Sequence, residues 1–550
     1  METKAGEQMA ATAPTCTADV VVCGAGPVGL VAAALLAARG VDVAVLEQRS
    51  GTSDEPKAIS IDDEALRLLQ QAGIIDRVLP VIVPGTGTRY YGGDGQVLFH
   101  ATGPRPFRLG YPFKNPFAQP DLERVLAECL AEASNVQLRF DTRLTGFDQH
   151  DSGVAVHAVG PEGDLIVEAA YVLGCDGGRS STRLLQGVDM SGRSYDDVWL
   201  VVDALDDTHN ERFAMHHGDP TRPHVIVPGL EGRCRYEFRL FEGEGTPDER
   251  PPFELIERLV SRYRPITPQQ VERAVNYRFN AVVADEWMVG RTFLLGDAAH
   301  MMPPFAGQGL NSGIRDAGNL TWKVAGVLSG TLNPSVLSSY QAERLPHAKA
   351  TVDLSEMLGR VVMTTSQDIA DQRDCAVSQA LATKEGRAYL EEMRYRPEQR
   401  FSEGMVVTGD VPELVGAQIG QPLVFDAEDH RIVRIDEVLG NGFALLGVDI
   451  DEVDWGAAED LASVLEAASL QVAVGESMPR TKRRVVLDVD GALAHEFGSH
   501  TGRFVLVRPD RVVAAAWWPS DTARVAAQIM PWTNHRAELN SSPGRIGSHG

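Results

Sequence analysis

The chain has 550 residues, a length that exceeds what one hydrophobic core usually organises and suggests roughly two to four domains. With 43% hydrophobic and 23% charged residues, its composition is that of an ordinary globular protein and excludes a fibre or a disordered scaffold. The formal charge of -25 would repel nucleic-acid phosphates, so we expect no nucleic-acid partner.

Six cysteines lie far apart without a C-x-x-C pair, which indicates neither a disulfide framework nor a zinc ribbon and favours a cytoplasmic location. Residues 1–17 have no apolar core of signal-peptide length, and we expect a short disordered arm there. Residues 20–38 are uncharged up to Ala38 and nearly long enough to cross a membrane, but three glycines and a proline interrupt them. We therefore expect no membrane span.

The segment DVVVCGAGPVGLVAAALLAARGVDVAVLEQ predicts a buried strand over residues 19–23, a glycine turn, a helix over 27–39 and a second strand over 42–46. Such a βαβ unit predicts a parallel, doubly wound sheet. Gly24, Gly26 and Gly29 supply the tight turn, the close backbone approach and the close helix packing that a dinucleotide pyrophosphate needs.

Glu47 ends the second strand at the spacing expected for an acid that binds the adenosine ribose. Pro27 and Gln48 lie beside these residues and are included in the predicted cofactor site. The motif alone would suit FAD and NAD equally.

Farther along the chain, helical periodicity covers residues 58–78 and 122–130, and alternating patterns predict strands over 137–147, 154–159 and 165–173. Short strands with proline-rich breaks between about 199 and 277 predict an inserted antiparallel sheet, which we assign to substrate binding. Parallel character returns at TFLLGDAAH, helices follow to about residue 347, and a separate unit begins near residue 401.

GDAAHMMPPFAGQGLNSG contains a second set of candidate cofactor residues. Gly296 and Asp297 place a carboxylate at a strand end, where it can bind hydroxyl groups, and Gly307 and Gly309 let the backbone approach a flat ring. Backbone N–H groups around Gly309 and Leu310, at the start of a helix, could stabilise negative charge on a reduced flavin.

Together with the glycine turn, GCDGGRSSTR and FLLGDAAHMMPPFAGQGLNSGIRDAGNLTWK resemble the signatures of class A flavoprotein monooxygenases. The resemblance implies that Asp176 contacts both flavin and pyridine nucleotide and that Asp297 binds FAD hydroxyls. It also implies that Pro304 stiffens the loop between flavin and substrate, that Asn311 belongs to the FAD site, and that His300 is mainly structural.

Further segments, among them EPKAISIDDEALRLLQQAGIIDRVLP, FAQPDLERVL and YLEEMRYRPEQRF, resemble the 3-(3-hydroxyphenyl)propionate hydroxylase group up to about residue 410. Gln119 matches a glutamine near the flavin ribityl chain in that group. Lys57 stands where the group usually has an arginine that contacts FAD phosphate and NAD(P)H, and lysine keeps the charge without the bidentate fork. The C-terminal part resembles a thioredoxin-like tail without C-x-x-C, so packing or dimerisation is its expected role and a homodimer is a candidate assembly.

The expected fold is therefore α/β, with a Rossmann-like FAD-binding domain of the para-hydroxybenzoate hydroxylase type, an inserted antiparallel substrate domain and a thioredoxin-like C-terminal domain. The predicted boundaries are 18–80, 116–190 and 278–400 for the FAD domain, 81–115 and 191–277 for the substrate domain, and 401–550 for the C-terminal domain.

The resemblance implies that NADPH or NADH reduces FAD, that reduced flavin captures O2 as a C4a-hydroperoxide, and that this species hydroxylates a phenol. His216, His217, Arg222, Arg235 and Tyr236 lie in or beside the predicted substrate sheet. His217 is the candidate catalytic base because histidine titrates near neutrality. No metal-ligand spacing is evident, so we expect no metal.

Two alternatives remain open at this point. One is a hydroxylase of a larger, polyketide-type phenol, because loop lengths do not define the size of a pocket. The other is a flavin-binding protein without turnover, in which FAD serves structure or sensing.

Overall fold

The computed structural model describes residues 15–247, 249–409, 411–475 and 479–534. Most of the predicted disordered arm, residues 1–14, lies outside the described residues. Thr15–Thr17, however, form a strand that pairs in parallel with residues 166–168, so the expectation of disorder is wrong for these three residues.

Helices and strands alternate along the described residues. In chain order, helices α1 to α14 span Pro27–Ala37, Asp63–Gln71, Ile75–Val78, Gln119–Ala131, Ser181–Leu185, Phe253–Val260, Gly309–Leu328, Ser339–Val362, Gln367–Leu381, Lys384–Glu391, Ile435–Leu439, Gly456–Val464, Ala492–Phe497 and Thr522–Ile529. In chain order, strands β1 to β27 span Thr15–Thr17, Val20–Cys23, Val43–Leu46, Ser60–Asp62, Thr88–Tyr91, Val97–Ala101, Lys114–Pro116, Val136–Arg139, Arg143–His150, Gly153–Gly160, Gly163–Ala169, Tyr171–Gly174, Met190–Ala204, Ala214–His217, His224–Pro228, Cys234–Arg239, Val271–Ala284, Met288–Val289, Thr292–Leu294, His300–Met301, Leu423–Asp426, Arg431–Arg434, Ala444–Val448, Ala468–Ala473, Arg484–Asp488, Phe504–Val507 and Val513–Trp517.

A six-stranded sheet with the order β18-β19-β12-β2-β3-β8 forms the centre of the nucleotide-binding part. Four of its five pairings, β19 with β12, β12 with β2, β2 with β3 and β3 with β8, are parallel, and β18 pairs antiparallel to β19. Strands buried on both faces become continuous apolar runs, which explains VVVC and VAVL. The predicted βαβ unit and the return of parallel pairing at TFLLGDAAH are confirmed.

An eight-stranded sheet with the order β20-β17-β13-β16-β15-β14-β5-β6 carries the predicted substrate region. Its pairings are antiparallel apart from that of β14 with β5. One face packs against α6 through a cluster that includes Met215, Ile226 and Phe238. The other face carries Trp199, Val225 and neighbouring side chains that pack against Phe305. This second face therefore packs against the loop that follows the GDAAH segment.

The single helix predicted over residues 58–78 is wrong. Ser60–Asp62 form β4, which pairs with β7, and the helix begins only at Asp63. Asp62 caps α2, because its side chain accepts the N–H of Ala65 at 3.0 Å. Helical periodicity extends across this boundary because Ile61, the apolar residue of β4, is spaced to share a face with the apolar residues of α2, whereas the strand depends on a distant partner.

A seven-stranded sheet with the order β22-β21-β25-β24-β23-β26-β27 forms the C-terminal part. Strands β23, β24 and β25 are parallel to one another, β26 pairs antiparallel to β23, and β27 pairs antiparallel to β26. Residues 443–529 contribute to the same apolar cluster as α1 and α7, so the C-terminal part packs directly on the nucleotide-binding part. The thioredoxin-like assignment and the exact domain boundaries stay predictions. No described helix combines the length and hydropathy needed to cross a bilayer.

Candidate active site

The glycine turn after β2 has three glycines with different surroundings. Gly24 has φ +103°, and a Cβ there would lie 2.6 Å from the carbonyl oxygen of Cys175. A Cβ at Gly29 would collide with the carbonyl oxygen of Gly24, whereas one at Gly26 would meet nothing within 4 Å. Gly24 and Gly29 are therefore required by protein packing, and Gly26 leaves open space at the N-terminus of α1.

The carboxyl ends of four parallel strands bring the predicted cofactor residues to one edge of the sheet. Backbone hydrogen bonds align the ends of these strands. The N–H of Gly24 donates to the carbonyl of Leu46, that of Cys175 to the carbonyl of Cys23, and that of Leu295 to the carbonyl of Gly174. Strands β2, β12 and β19 therefore end at the same edge of the sheet. A crevice at the carboxyl edge of such a sheet is where ligands bind in doubly wound folds. We call this crevice, bounded by residues 24–29, 47, 297 and 307–310, the cofactor cleft.

Glu47 reaches across the start of the cofactor cleft. One carboxylate oxygen accepts the N–H of Ala25 at 2.8 Å and the other accepts the N–H of Arg49 at 2.9 Å. These bonds hold the carboxylate beside the glycine turn, and its remaining lone pairs suit ribose hydroxyls. Gln48 is exposed beside it.

Asp176 is held by the start of α5. Its carboxylate accepts the N–H of Thr182 at 2.9 Å and the hydroxyl of Thr182 at 3.0 Å, and it also accepts the hydroxyl of Ser180. The turn is fixed against Gly24, since a Cβ on Gly24 would lie 3.0 Å from the Cα of Asp176. A contact between Asp176 and flavin stays a prediction.

Asp297 is exposed toward the cofactor cleft, although the surrounding protein is dense enough that desolvation raises its pKa. His300 and Lys57 oppose that shift. Among the described residues no cation lies within ion-pair distance of Asp297, so its carboxyl group is available to a hydroxyl-rich ligand. The structure therefore fits the role implied for Asp297.

His300 is completely buried and is used by the protein itself. Its Nε2 lies 2.8 Å from Asp316, which also accepts the N–H of Gly296 at 3.1 Å and the Nε of Arg344 at 2.9 Å. Burial alone would raise the pKa of Asp316, but His300 and Arg344 lower it. This network fixes the GDAAH turn, which agrees with a structural role for His300.

The loop after β20 leads into α7. Pro304 is exposed and begins a short turn that ends at Gly307, whose φ is +64°. Gly309 and Leu310 open α7, where the first N–H groups have no helical acceptor. Asn311 is buried and ties this start to β4 by donating to Ser60 at 3.2 Å and accepting from the N–H of Asp62 at 3.0 Å. Free N–H groups at a helix start can bind an anionic ring edge.

Lys57 lies between β3 and β4, and Gln119 is the first residue of α4. Gln119 accepts the N–H of Ala58 at 2.6 Å and donates to Glu123 at 2.6 Å, which leaves one amide hydrogen for a cofactor hydroxyl. The Lys57 side chain is exposed, and its backbone carbonyl accepts a bond from Arg235 at 2.6 Å. Arg235, a candidate for substrate binding, therefore anchors residues 56–57 and pairs with Asp203 at 2.6 Å.

A cavity of about 390 Å³ lies between the loop before α7, the substrate sheet and α8. Its wall combines aromatic and aliphatic side chains with five polar or charged residues and two tyrosines. The lining residues are Ser60, Asp62, Tyr90, Phe113, Lys114, Phe305, Ala306, Gln308, Leu354, Leu358, Met393, Tyr395 and Arg396.

The structure does not bring His217 to this cavity. Successive strand residues point to opposite faces, and the His217 ring stacks between Tyr91 and His224 on the α6 side. Burial, with help from His224, lowers the pKa of His217 to about 3, so the ring is a weak base at neutral pH. His216 points the other way and contacts Tyr90, which lines the cavity.

The remaining candidates in the substrate sheet are engaged elsewhere. Arg222 pairs with Glu244 at 2.6 Å, and the hydroxyl of Tyr236 donates to Asp207 at 2.8 Å. Asp207, His209 and Cys234 place potential ligand atoms within 4.8 Å of one another. Asp207 already accepts from His209 at 2.7 Å and from Tyr236, and it pairs with Arg264 at 3.1 Å, so we read this group as a hydrogen-bonded cluster.

Sequence reasoning missed Tyr90, Lys114, Tyr395 and Arg396, all of which line the cavity. They come from β5, from the three-residue strand β7 and from the segment after α10. No local pattern connects such distant positions. Two signals were present: residues 81–115 were predicted to belong to the substrate domain, and Tyr395 and Arg396 lie in YLEEMRYRPEQRF, a segment that resembles the hydroxylase group.

The family described as FAD binding domain matches residues 17–355, and the family described as HcaD C-terminal domain matches residues 416–531. A Burkholderia vietnamiensis protein named 3-(3-hydroxy-phenyl)propionate/3-hydroxycinnamic acid hydroxylase 2 is 36% identical over 511 residues, covering 90% of this chain and 93% of that protein. The chain belongs to the class A flavoprotein monooxygenases. A hydroxylase of Mycolicibacterium smegmatis with the same activity in its name is 35% identical, with 90% of each chain covered.

Solved structures give the same fold. The flavin-dependent monooxygenase PieE, in complex with FAD and substrate, has a TM-score of 0.75 at 23% identity and covers 94% of this chain and 99% of its own. Aklavinone-11 hydroxylase has a TM-score of 0.73 at 23% identity, with 93% and 98% covered. The predicted α/β fold is thereby confirmed, and the match to the FAD binding domain family together with the named hydroxylases confirms FAD as the cofactor of a monooxygenase.

Proposed function

We propose that the chain hydroxylates the aromatic ring of a small phenol that carries an acidic side chain, with FAD as cofactor, NADH or NADPH as reductant and O2 as co-substrate. Two named relatives at 35 and 36% identity act on 3-(3-hydroxyphenyl)propionate or 3-hydroxycinnamic acid according to their names. The observation that carries the proposal is the cavity of about 390 Å³ that adjoins Phe305, Ala306 and Gln308, immediately before the helix start at the cofactor cleft.

The residues of the cofactor cleft have complementary roles in holding FAD. The open space at Gly26 accommodates the pyrophosphate at the start of α1, Glu47 binds the adenosine ribose, and Asp297 binds hydroxyls of the cofactor. Lys57, Gln119 and Asn311 complete the site from the opposite side. FAD, once bound, supplies the electron transfer and oxygen activation that no side chain can provide.

The protein positions the cofactor and the substrate and limits the access of water. The N–H groups of Gly309 and Leu310 stabilise negative charge on the pyrimidine edge of reduced flavin, because the start of α7 carries a positive partial charge. Pro304 stiffens the loop between cleft and cavity. The aromatic and aliphatic side chains of the cavity limit the access of bulk water, which would otherwise favour release of hydrogen peroxide without hydroxylation.

The named relatives favour a small phenol over a polyketide-type substrate, because both act on single-ring phenolic acids according to their names. Phe113, Phe305 and Met393 are large apolar side chains that line the proposed substrate cavity. A homodimer and a cytoplasmic location are further parts of the proposal, supported by the family resemblance and by six cysteines that are all unpaired.

A coenzyme oxidation assay tests the proposal. Purified holoenzyme should oxidise NADH or NADPH slowly alone and much faster with 3-(3-hydroxyphenyl)propionate, and a dihydroxylated product should form. A polycyclic phenol should give little stimulation. Stimulation by the polycyclic phenol alone would favour the polyketide alternative, and a flavin that neither coenzyme reduces in the presence of any phenol would favour a protein without turnover.

A further inference from the structure

The substrate cavity contains two cations with different surroundings, Lys114 and Arg396. Arg396 faces Asp62 at 3.7 Å and Glu64 at 3.9 Å, and its guanidinium lies 3.9 Å from the centre of the Phe113 ring. The charge of Arg396 is therefore already matched by two carboxylates and an aromatic face.

Lys114 has no such partner. Its ammonium donates to the hydroxyl of Thr88 at 3.1 Å, and among the described residues no carboxylate lies within the 4.0 Å of an ion pair. Glu237 is the acid that acts on it, from beyond ion-pair distance. A neutral hydroxyl is a weak hydrogen-bond acceptor for an ammonium group. The Lys114 ammonium therefore still has donors available for an anion in the cavity.

The surroundings of Lys114 make the absence of an anionic partner energetically unfavourable. Burial lowers the pKa of Lys114 to about 8, and Glu237 only partly opposes the shift. Burial, together with Lys114, also lowers the pKa of the neighbouring His216 well below its usual value, so this ring is neutral and offers Lys114 no counter-ion. A partly buried cation is stabilised when a ligand brings an anionic group to it.

The position of Lys114 is suitable for orienting a ring. Its Nζ lies 3.6 Å from where a Cβ on Gly307 would be, so it borders the loop that precedes α7. Phe113 precedes it in the chain, and Phe305 lies across the same cavity. An anionic substituent at Lys114 would place the attached ring among these aromatic side chains.

We propose that Lys114 binds the carboxylate of the aromatic substrate and thereby selects acids over neutral phenols of the same shape. This inference rests on the proposed function, because it assumes that the cavity binds the phenol. Lys114 would then determine the preference for acidic over neutral phenols, a role that the family resemblance assigns to no residue.

Ligand binding to the oxidised holoenzyme tests the inference without turnover. The change in flavin absorbance would be titrated with 3-(3-hydroxyphenyl)propionate and with its neutral amide. Loss of one charge-assisted bond in Lys114→Met should weaken binding of the acid by roughly 10- to 100-fold and that of the amide by less than about threefold. Lys114→Arg should restore part of the preference for the acid.

Lys384→Met is the matched control, because Lys384 is exposed at the start of α10 and should leave the acid-to-amide ratio unchanged. FAD content and melting temperature of each variant would show that folding is intact. Equal weakening of acid and amide in Lys114→Met, an unchanged ratio, or a wild type that does not prefer the acid would overturn the inference. Acid binding that depends on Lys114 without any hydroxylation would instead overturn the proposed function alone.

Discussion

The glycines after β2 meet two different requirements, packing of the protein itself and space for the cofactor, which the sequence motif does not distinguish. Gly24 adopts a left-handed φ and touches the backbone of Cys175, whereas Gly26 has an extended conformation and no protein atom within 4 Å of a Cβ position. The motif predicts both glycines for the same ligand. The structure shows that one is needed for the fold and that the other leaves space for the cofactor.

Alanine substitutions should therefore have different consequences. Gly24→Ala should lower the melting temperature of the FAD-free protein, because a Cβ would meet Cys175 O at 2.6 Å in a φ region that alanine rarely adopts. Gly26→Ala should leave that melting temperature nearly unchanged but reduce FAD content after purification. Equal loss of stability in both variants would contradict this division of roles.

At the scale of single elements, strand alternation decides which histidine of β14 faces the cavity. The sequence favours His217 on titration alone, but only the pairing of β14 with β5 and β15 fixes which side of the sheet each residue occupies. His217 faces Tyr263 and α6, and His216 faces the cavity side. The base therefore could not be chosen from sequence.

Replacing His217 by phenylalanine should preserve the ring stack with Tyr91 and His224 and change kcat/KM by less than about threefold. His216→Phe, one residue away, should alter substrate binding because it changes the side chain in contact with Tyr90. Steady-state kinetics on both variants would check this. A loss of tenfold or more in kcat for His217→Phe alone would restore His217 as the catalytic base.

The local elements that could be predicted are those whose pattern is complete within a short segment. The βαβ unit, the helix after Gln119 and the GDAAH turn follow from contiguous residues. The strand β4 and the lining position of Lys114 depend instead on pairing between β4 and β7, some 50 residues apart. Such long-range pairing has no signature in local periodicity, which is why both were missed.

At the scale of the whole molecule, a buried ionic network joins the C-terminal part to the nucleotide-binding part. Glu343 of α8 pairs with Lys323 of α7 at 2.8 Å and with Arg508, which follows β26, at 2.8 Å. Arg67 of α2 pairs with Asp436 of α11 at 2.7 Å. All of these side chains are buried. The C-terminal part is therefore held against the cofactor-binding part by direct contacts and not only by the connecting chain.

Glu343→Gln should reduce the free energy of unfolding by about 3 to 5 kcal/mol, because it leaves Lys323 buried without its carboxylate. Glu391→Gln removes the partner of Arg387 in an exposed pair at 3.0 Å and should cost less than about 1 kcal/mol. Urea unfolding at pH 7 would compare the two variants. Equal effects would show that the network does not fix the two parts together.

The same carboxylate predicts a pH dependence. Burial alone would raise the pKa of Glu343, but Arg508 and Lys323 lower it to about 2. Its contribution to stability is therefore fully present above the unfolded value of about 4.3 and is lost as the pH falls from there towards about 2. The difference in unfolding free energy between wild type and Glu343→Gln should shrink over that range. A difference that stays constant or grows would contradict the ionic interpretation.

The origin of the oxygen atom in the product tests the central claim most directly. Holoenzyme supplied with reduced coenzyme, 3-(3-hydroxyphenyl)propionate and isotopically labelled O2 would be analysed by mass spectrometry of the aromatic product. A monooxygenase of this family should place one labelled oxygen atom on the ring for each product molecule. A product whose new oxygen comes from water, or coenzyme oxidation that yields only hydrogen peroxide and an unchanged ring, would contradict the account.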